Sequence, residues 1–355
     1  MSLFRQCYGE RHVDATDELR SREPSIVVNM AKTAATRSEE LESLLEQHRT
    51  ELTGYAYRML GSPFEAEDAV QETMLRAWRS FDRFEGRASL RSWLYRIATN
   101  VSLDMLSGRE RRARPMDLGP AQSADSPLGA PLAEAAWIEP IPDSAVVPQS
   151  DPAEMAEARE SIRLAFVAAL QHLPPRQRAV LILREVLRWK ATEVAELLDT
   201  TVASVNSALQ RARSALAAVD AGTTTAQPMD EAQRTLLRRY VDAFERYDMD
   251  SLTALLREDA TWNMPPYELW LQTHDDVRDW CLGPGIGCRG SRLIPTQANG
   301  SAAFAQYKPG PEEGILEPWS LQVLELSGGS IGGITFFLDT ARLFPLFGVP
   351  LRFET

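Results

Sequence analysis

The sequence predicts a multidomain protein: two all-helical domains followed by one α+β domain. Three observations carry this. Apolar residues recur at three- and four-residue steps from Glu39 to Leu106 and again from Ala153 to Ala218. Residues 115–153, between these blocks, contain no Lys or Arg and are rich in Pro, Ala and acids. Beyond residue 228, two amphipathic helical stretches give way to short strand-like runs separated by Gly, Pro and Asn-Gly turns, the order of an α+β domain. A chain of 355 residues is also long enough for two or three separate cores.

Composition narrows the class. Hydrophobic content of 44% and charged content of 25% are ordinary for a soluble globular protein. No apolar run is long enough to span a bilayer, and the first residues lack the charged-then-apolar pattern of an export signal. A cytoplasmic location without membrane contact is expected. Cys7, Cys281 and Cys288 are odd in number and scattered, which suits neither a disulfide framework nor a zinc site. No metal or cofactor is expected. A net charge of -12 argues against a general nucleic-acid coat and leaves duplex binding to local basic patches.

Taken in order, residues 1–38 are polar and aperiodic, and read as a disordered extension with Met30 as a second candidate start. Residues 39–114 read as a helical bundle. Leu41, Leu44, Leu45, His48, Leu52, Tyr55 and Met59 mark its first helix. Gly61-Ser62-Pro63 ends that helix and starts the next, with Ser62 as N-cap and Pro63 in the first turn. The second helix carries Ala66, Ala69, Val70, Met74, Leu75 and Trp78 on one face. A loop from Phe81 to Ala88 leads to a third helix, Ser89 to Leu106, which ends in the basic cluster Arg109, Arg111, Arg112 and Arg114. Residues 115–153 read as an acidic linker with one apolar island, Ala136 to Pro142. Its Trp137, with Pro140, reads as a docking anchor between domains.

Residues 154–219 form the second helical domain. One helix is expected to His172, a break at Leu173-Pro174-Pro175, then helices at Arg176–Leu187, Lys190–Leu198 and Val202–Ala218. The last two, joined by Asp199-Thr200-Thr201, have the helix-turn-helix pattern. Residues 220–228 read as a second linker. In the final domain, 229–355, helices are expected at Asp230–Tyr247 and Asp250–Arg257. Strands are expected at Ala260–Met264, Arg292–Gln297, Ala302–Tyr307, Leu316–Leu326 and Ile331–Phe337, with Asn299-Gly300 as a hairpin turn.

Two sets of motifs then point to a family. Ala66 to Thr73, Ala77-Trp78 and Ser92 to Asn100 resemble the region 2 signature of extracytoplasmic-function (ECF) sigma factors of bacterial RNA polymerase. Leu173 to Arg178 and Arg211-Ala212-Arg213 resemble the region 4 signature of the same family. The last domain looks like a SnoaL-like (NTF2-like) cone. With the Trp-Ile-Glu-Pro island, the layout is similar to the sigma-G and sigma-J subgroups, where such a domain regulates in place of a separate anti-sigma protein. The resemblance implies a non-enzymatic initiation factor. Its partners would be core polymerase, through the β′ clamp and β flap, and promoter DNA at the -10 and -35 elements. The acidic linker would thread the active-site cleft.

The candidate residues follow from both sources. Glu65, Glu67, Asp68, Gln71 and Glu72 lie on the polar side of the second helix, where acids also favour the helix N-terminus. The resemblance implies that Asp68, Gln71 and Glu72 bind polymerase. Trp93, Arg96 and Asn100 share one face of the third helix, and single-stranded DNA needs stacking surfaces together with cations. In the family the loop before that helix captures a flipped -10 base, which assigns Phe84, Arg87 and Ser89 to the same task. Arg109, Arg111, Arg112 and Arg114 are read as phosphate contacts. On the recognition helix Ser204, Asn206, Ser207, Gln210, Arg211 and Arg213 face outward, suited to base edges or phosphates of the -35 element. ECF factors commonly carry a basic residue where Asn206 stands and a bulky one where Gln210 stands.

Trp262, Met264, Tyr267 and Trp270 are candidates to line an apolar pocket, against the reading that the cone is filled by its own aromatics. Two rival uses follow for this domain: a sensor of an unknown small ligand, or a fused catalyst using His274 or Asp275.

Overall fold

Helix α1 (Arg49–Leu60) is the centre of the molecule. Its sequence, RTELTGYAYRML, is apolar or aromatic on more than one face, so it must be enclosed rather than laid on a surface. Every residue from Leu52 to Leu60 is buried. The computed structural model describes residues 39–86, 88–148, 151–218 and 230–354. Residues 39–46 are helical and belong to one unit, while Gln47–Thr355 form a second unit. The extension at 1–38 and the linker at 220–228 lie outside the described residues.

Gly61 closes α1 in the left-handed conformation, and the Ser62 hydroxyl caps α2 (Pro63–Ser80), with Pro63 in its first turn. Helix α3 (Leu90–Leu106) is capped by Ser89. Helices α2 and α3 pack on α1 and on each other. A short helix α4 (Asp143–Val146) from the middle stretch packs on another side of α1.

The single helix expected between Ala153 and His172 is two: α5 (Pro152–Glu160) and α6 (Leu164–Gln171). The break has a use. It turns the Ser161 and Ile162 carbonyls away from a helical ladder and towards other partners. Helix α7 (Pro175–Leu181) continues into one π turn, Ile182–Val186. Helices α8 (Ala191–Leu197) and α9 (Val202–Ala217) form the helix-turn-helix. Asp199 takes a positive φ of 50° in the turn, and the Thr201 hydroxyl caps α9. Helix α9 buries Val205, Leu209 and Ala212 against α7 and α8.

The last domain is α+β. Helices α10 (Glu231–Arg246), α11 (Met249–Thr253) and α12 (His274–Leu282) accompany a mixed seven-stranded sheet. Its main path is β2-β1-β6-β5-β4-β3. The strands are β1 (Leu256–Asn263), β2 (Trp270–Leu271), β3 (Arg292–Ala298), β4 (Ser301–Pro309), β5 (Ile315–Ser327) and β6 (Ser330–Phe337). Helix α13 (Thr340–Leu346) packs on β5, and β7 (Phe353–Glu354) pairs with β5. Among the described residues the β1–β6 pair of strands is parallel and the other strand pairs are antiparallel. The helix expected at Asp250–Arg257 stops at Thr253, because Leu255 and Leu256 already pair with Ile331 of β6. The domain core fills itself: the Trp262 ring lies tilted against Phe336 at 4.5 Å, and Tyr240 lies 5.9 Å from Phe304.

Asn299 and Gly300 link β3 to β4 with φ of 56° and 65°, the two positive values that a tight hairpin of primed type requires. Gly300 is also pressed on α5: a Cβ there would stand 2.5 Å from the Arg159 carbonyl oxygen. The Gly300→Ala protein is therefore expected to lose roughly 2–4 kcal/mol from the positive φ and the clash together. Urea unfolding of the full chain measures this, and a midpoint within error of the parent would refute it.

Candidate functional site

The acidic face of α2 is partly engaged within its own domain. Glu67 accepts from Arg49 and Gln71, each at 3.2 Å, and Glu72 accepts from Arg76 at 2.6 Å. Asp68 and Gln71 are exposed, and Glu72 is half-buried. All three stand on one side of a rigid, capped helix.

On α3, Arg96 and Asn100 are exposed and Trp93 is half-buried. Trp93 is part of an aromatic cluster with the preceding loop: its ring lies 5.0 Å from Phe84 and 6.3 Å from Phe81. Ser89 is exposed at the start of α3. The structure thus groups Phe84, Ser89 and Trp93, with Arg96 and Asn100 farther along the same helix. Arg87 lies outside the described residues.

The basic cluster after α3 is divided: Arg112 is buried and Arg114 half-buried, while Arg109 and Arg111 are exposed. Arg112 is 6% exposed, faces Glu65 at 3.1 Å and Glu139 at 3.5 Å, and donates to the Glu134 and Trp137 carbonyls. Arg109 pairs with Glu65, Arg111 contacts His172, and Arg114 pairs with Asp117 at 3.3 Å. With the middle stretch folded over the bundle, Arg112 serves carboxylates and carbonyls inside the fold and burial excludes its expected phosphate contact, while Arg109 and Arg111 keep exposed guanidinium groups. In the helix-turn-helix, Ser204, Asn206, Ser207, Gln210, Arg211 and Arg213 are all exposed. Arg213 pairs with Glu185 at 2.6 Å, and the others lie along the outer side of α9.

The middle stretch, expected as a tether, is a packed strap. Gln122 donates to the Trp270 carbonyl, Trp270 Nε1 donates to Gly119 O, and Leu132 donates to Pro266 O, each at 2.9 Å. Ala124 joins the core of the last domain, and Leu128 packs against it. Farther along, Trp137 is 3% exposed and forms a parallel bridge with Ala113. Pro140 is buried, and the Glu139 amide donates to Gly61 O at 2.9 Å.

These segments meet at Asn299. Its Nδ2 donates to the Tyr57 hydroxyl and to the Ile162 carbonyl, both at 2.7 Å. Its Oδ1 accepts from the Ile141 amide at 3.0 Å, and its own amide donates to Ile141 O at 3.0 Å. Tyr57 passes the link on, donating to Glu139 O at 2.8 Å. Next door, Gly300 N donates to Asp143 at 2.8 Å, and Arg342 of α13 lies 3.8 Å over the Phe64 ring.

The two helical domains also pack directly on each other. Buried Arg58 donates to Ser161 O at 3.1 Å and to its hydroxyl at 2.6 Å. Buried Arg178 donates to Met59 O, Gln171 and Leu173 O. Desolvation lowers both guanidinium groups to about 10. Trp189 lies 5.1 Å from the Tyr95 ring, with Arg91 over both rings. This contact uses the Arg91/Tyr95 side of α3 and leaves Arg96 and Asn100 exposed.

Of the four residues expected around a pocket, Trp262 and Met264 belong to the packed core, and Trp270 is buried beneath the strap. Tyr267 lines a cleft of about 360 Å³ that lies instead between the strap and the last domain. Sequence reasoning missed Asn299 as more than a turn residue, and missed Tyr57, Arg58, Glu139 and Arg342. Arg58 alone carried a signal, a charge set in the apolar run Tyr55–Leu60. Among the described residues no cluster of His, Cys, Asp or Glu could hold a metal ion, and no helix is long and apolar enough to cross a membrane.

Comparison with known proteins gives the following. The family described as Sigma-70 region 2 matches residues 44–112, and Sigma-70, region 4 matches residues 163–216. The chain is 45% identical over 311 residues to the ECF RNA polymerase sigma factor SigG of Mycobacterium tuberculosis, covering 86% of this chain and 82% of that protein. It is 30% identical over 220 residues to SigJ of the same organism, covering 62% and 63%. The crystal structure of M. tuberculosis SigJ aligns with 87% of this chain and 99% of its own, at 22% identity and a TM-score of 0.56, a likeness of fold.

Glu139 sets an expected pH response of the junction. Burial raises its carboxyl to about 7; a Ser62 hydrogen bond, Arg112 and Arg342 oppose the rise, and Glu134 adds to it. An acid raised in the folded state contributes stability that is complete below its unfolded value of about 4.3 and is lost as pH rises through about 7. Between pH 5 and pH 8 the parent protein should lose about 2 kcal/mol more than the Glu139→Gln variant. Urea unfolding at both pH values tests this, and identical pH dependence of the two proteins would sink it.

Proposed function

The chain belongs to the ECF sigma factors, which direct RNA polymerase to promoters, and from that premise we propose how its surfaces are used and how they are restrained. It acts as an initiation factor with core polymerase and promoter DNA as partners, not as a catalyst. Asp68, Gln71 and Glu72 dock on the β′ clamp, and the helix-turn-helix domain meets the β flap. Phe84, Arg87, Ser89, Trp93, Arg96 and Asn100 take the opened -10 element. Ser204, Asn206, Ser207, Gln210, Arg211 and Arg213 read the -35 element. Supporting this, the described members of these sets are exposed or half-buried on capped, rigid helices.

The second part of the proposal is regulation in cis. Elements named -10 and -35 are about 25 base pairs apart, or about 85 Å of duplex. A folded unit the size of residues 47–355 is about 50 Å across. With Trp189 on Tyr95 and Arg178 on Met59, the two DNA-reading domains sit side by side, a closed form that cannot reach both elements. The NTF2-like domain maintains it, with Trp137 and Pro140 as anchors. The observation that carries this reading is the Asn299 side chain, bonded at once to the first helical domain, the strap and the second helical domain. With restraint built into the chain, a dedicated anti-sigma protein is not required.

The fused-catalyst reading has less support. His274 is half-buried with Nε2 3.1 Å from the Arg257 carbonyl, and the exposed Asp275 faces Arg278 at 3.4 Å; neither lines the cleft.

Run-off transcription with reconstituted polymerase tests the proposal. Asn299→Ala removes three buried hydrogen bonds, roughly 2–4 kcal/mol of the closed form, and should raise transcript yield severalfold. Deleting residues 229–355, and Trp137→Ala, should act in the same direction. Unchanged output from all three would end the case for restraint in cis. Separately, Asp68→Lys should weaken binding to core polymerase at least tenfold with an unaltered melting temperature. Equal affinity would remove the α2 face from the interface.

A further inference from the structure

The outer side of α9 carries a side chain that hydrogen bonding to base edges does not explain. Val202, the first residue of the helix, is 38% exposed, and Ala203 beside it is exposed as well. The core of the helix-turn-helix uses neither: α9 buries Val205, Leu209 and Ala212. The hydroxyls of the first turn are bonded to each other. Thr201 Oγ1 accepts from the Ser204 amide at 3.1 Å and donates to the Ser204 hydroxyl at 3.0 Å. The first turn therefore offers a largely aliphatic surface. A lone exposed valine is ordinary on a protein surface, and it is the position of this one that gives it a use.

Val202, Asn206 and Gln210 follow one another at four-residue steps and are all exposed, so they form one strip along the helix. No residue from Val202 to Gln210 is charged. The cations begin at Arg211, and Arg213 is paired with Glu185 at 2.6 Å. A neutral strip gains little from phosphates and has to be matched to base edges. In a helix-turn-helix the N-terminal residues of the second helix are the ones that reach those edges in the major groove. The apolar group that a base pair presents there is the thymine C5-methyl, and an aliphatic side chain with no donor or acceptor suits it.

We propose that Val202 is a specificity-determining residue: its methyl groups pack on the C5-methyl of a thymine in the -35 element and select that base pair. The step from Val202 to Asn206 rises about 6 Å along the helix, which corresponds to about two base pairs of duplex. The selected thymine thus lies within about two base pairs of the base that Asn206 contacts. Selection comes from burial of methyl surface rather than from charge. The proposal rests on the reading of the -35 element by α9 given above.

The test is run-off transcription by core polymerase with the full-length protein, on promoters selected from a library randomised across the -35 element. Each thymine of the selected element, on either strand, is then replaced by uracil, which removes only the C5-methyl. At one position this should cost the parent protein about three- to fivefold in transcript, the worth of one buried methyl group. Val202→Ala should lose about the same factor on the thymine template and be indifferent to uracil at that position. Val202→Thr, which keeps one methyl, should retain part of the preference. Templates are compared within one protein, so the degree of restraint cancels. Parent output unchanged by uracil at every position overturns the proposal, as does a uracil effect of the same size in Val202→Ala. A Val202→Ala loss that is equal on thymine and uracil templates assigns the side chain to a contact with polymerase and overturns it too. The two readings fail separately. Output that falls with Asn206→Ala and Arg211→Ala but ignores every thymine methyl removes the role of Val202 and keeps the -35 reading. Output indifferent to both of those changes removes the two together.

Discussion

The closed arrangement depends on one side chain meeting three partners. An Asn amide offers two donors and an acceptor in a plane, and Asn299 uses both ends inside a region from which water is excluded. Two of the partners are backbone groups that would otherwise be buried unpaired, the Ile162 carbonyl freed by the break between α5 and α6 and the Ile141 amide of the strap; the third is the Tyr57 hydroxyl of the enclosed helix α1, which also donates to the Glu139 carbonyl. The hairpin must be tight for this to work. Positive φ at Asn299 and Gly300 brings the tip forward, and the missing Cβ of Gly300 lets it approach Arg159. Backbone geometry of a two-residue turn thus sets the positions of two domains remote from it in sequence.

The same interface carries a built-in weakness. Arg58 and Arg178 are buried with carbonyl, hydroxyl and amide oxygens as hydrogen-bond acceptors and no carboxylate in an ion pair among the described residues. Hydrogen bonds compensate part of their desolvation, and the lowered guanidinium values record the part left over. Glu139 adds to this, its carboxyl raised although two guanidinium groups stand near it. A structure that keeps three ionisable groups in poor solvent at its domain boundaries stores a reason to separate. That suits a restraint which must release more than it suits a permanent fold.

How much of this was legible in the sequence follows a physical line. Local signals transferred well. Ser62 and Pro63 start α2, Asn299-Gly300 makes the hairpin, and the five strand-like runs overlap β1, β3, β4, β5 and β6, the first running one residue past the end of β1. Each depends on a few neighbouring residues. Departures from expectation came where a distant segment supplied the energy. Arg112 looked like a phosphate ligand because its partners are remote in sequence: Glu65 on α2 and, with the strap folded back, the Trp137 carbonyl. The helix expected from Ala153 to His172 breaks where Arg58 and Asn299 claim its carbonyls. Trp137 stood out because a large aromatic in a polar stretch is conspicuous; Asn299 did not, because its turn chemistry already explained its presence.

The residues proposed to bind polymerase and DNA are exposed, and their exposure bears on the order of events. Asp68, Gln71, Arg96, Asn100 and the outer side of α9 remain open to solvent in the closed form. On the function proposed above, polymerase meets the α2 face before the domains part, although Arg342 on Phe64 stands at the first turn of the same helix. First contact of this kind shifts nothing by itself, since a partner that binds closed and open forms equally leaves their ratio unchanged. Opening must come from contacts that exist only when the two DNA-reading domains are apart, and simultaneous engagement of two promoter elements is such a contact. Turning a 1:99 population into 99:1 takes a preference of about 5.5 kcal/mol. On the function proposed above, that preference has to exceed the advantage that the Asn299-centred hydrogen bonds, less the cost of two poorly solvated arginines, give the closed form.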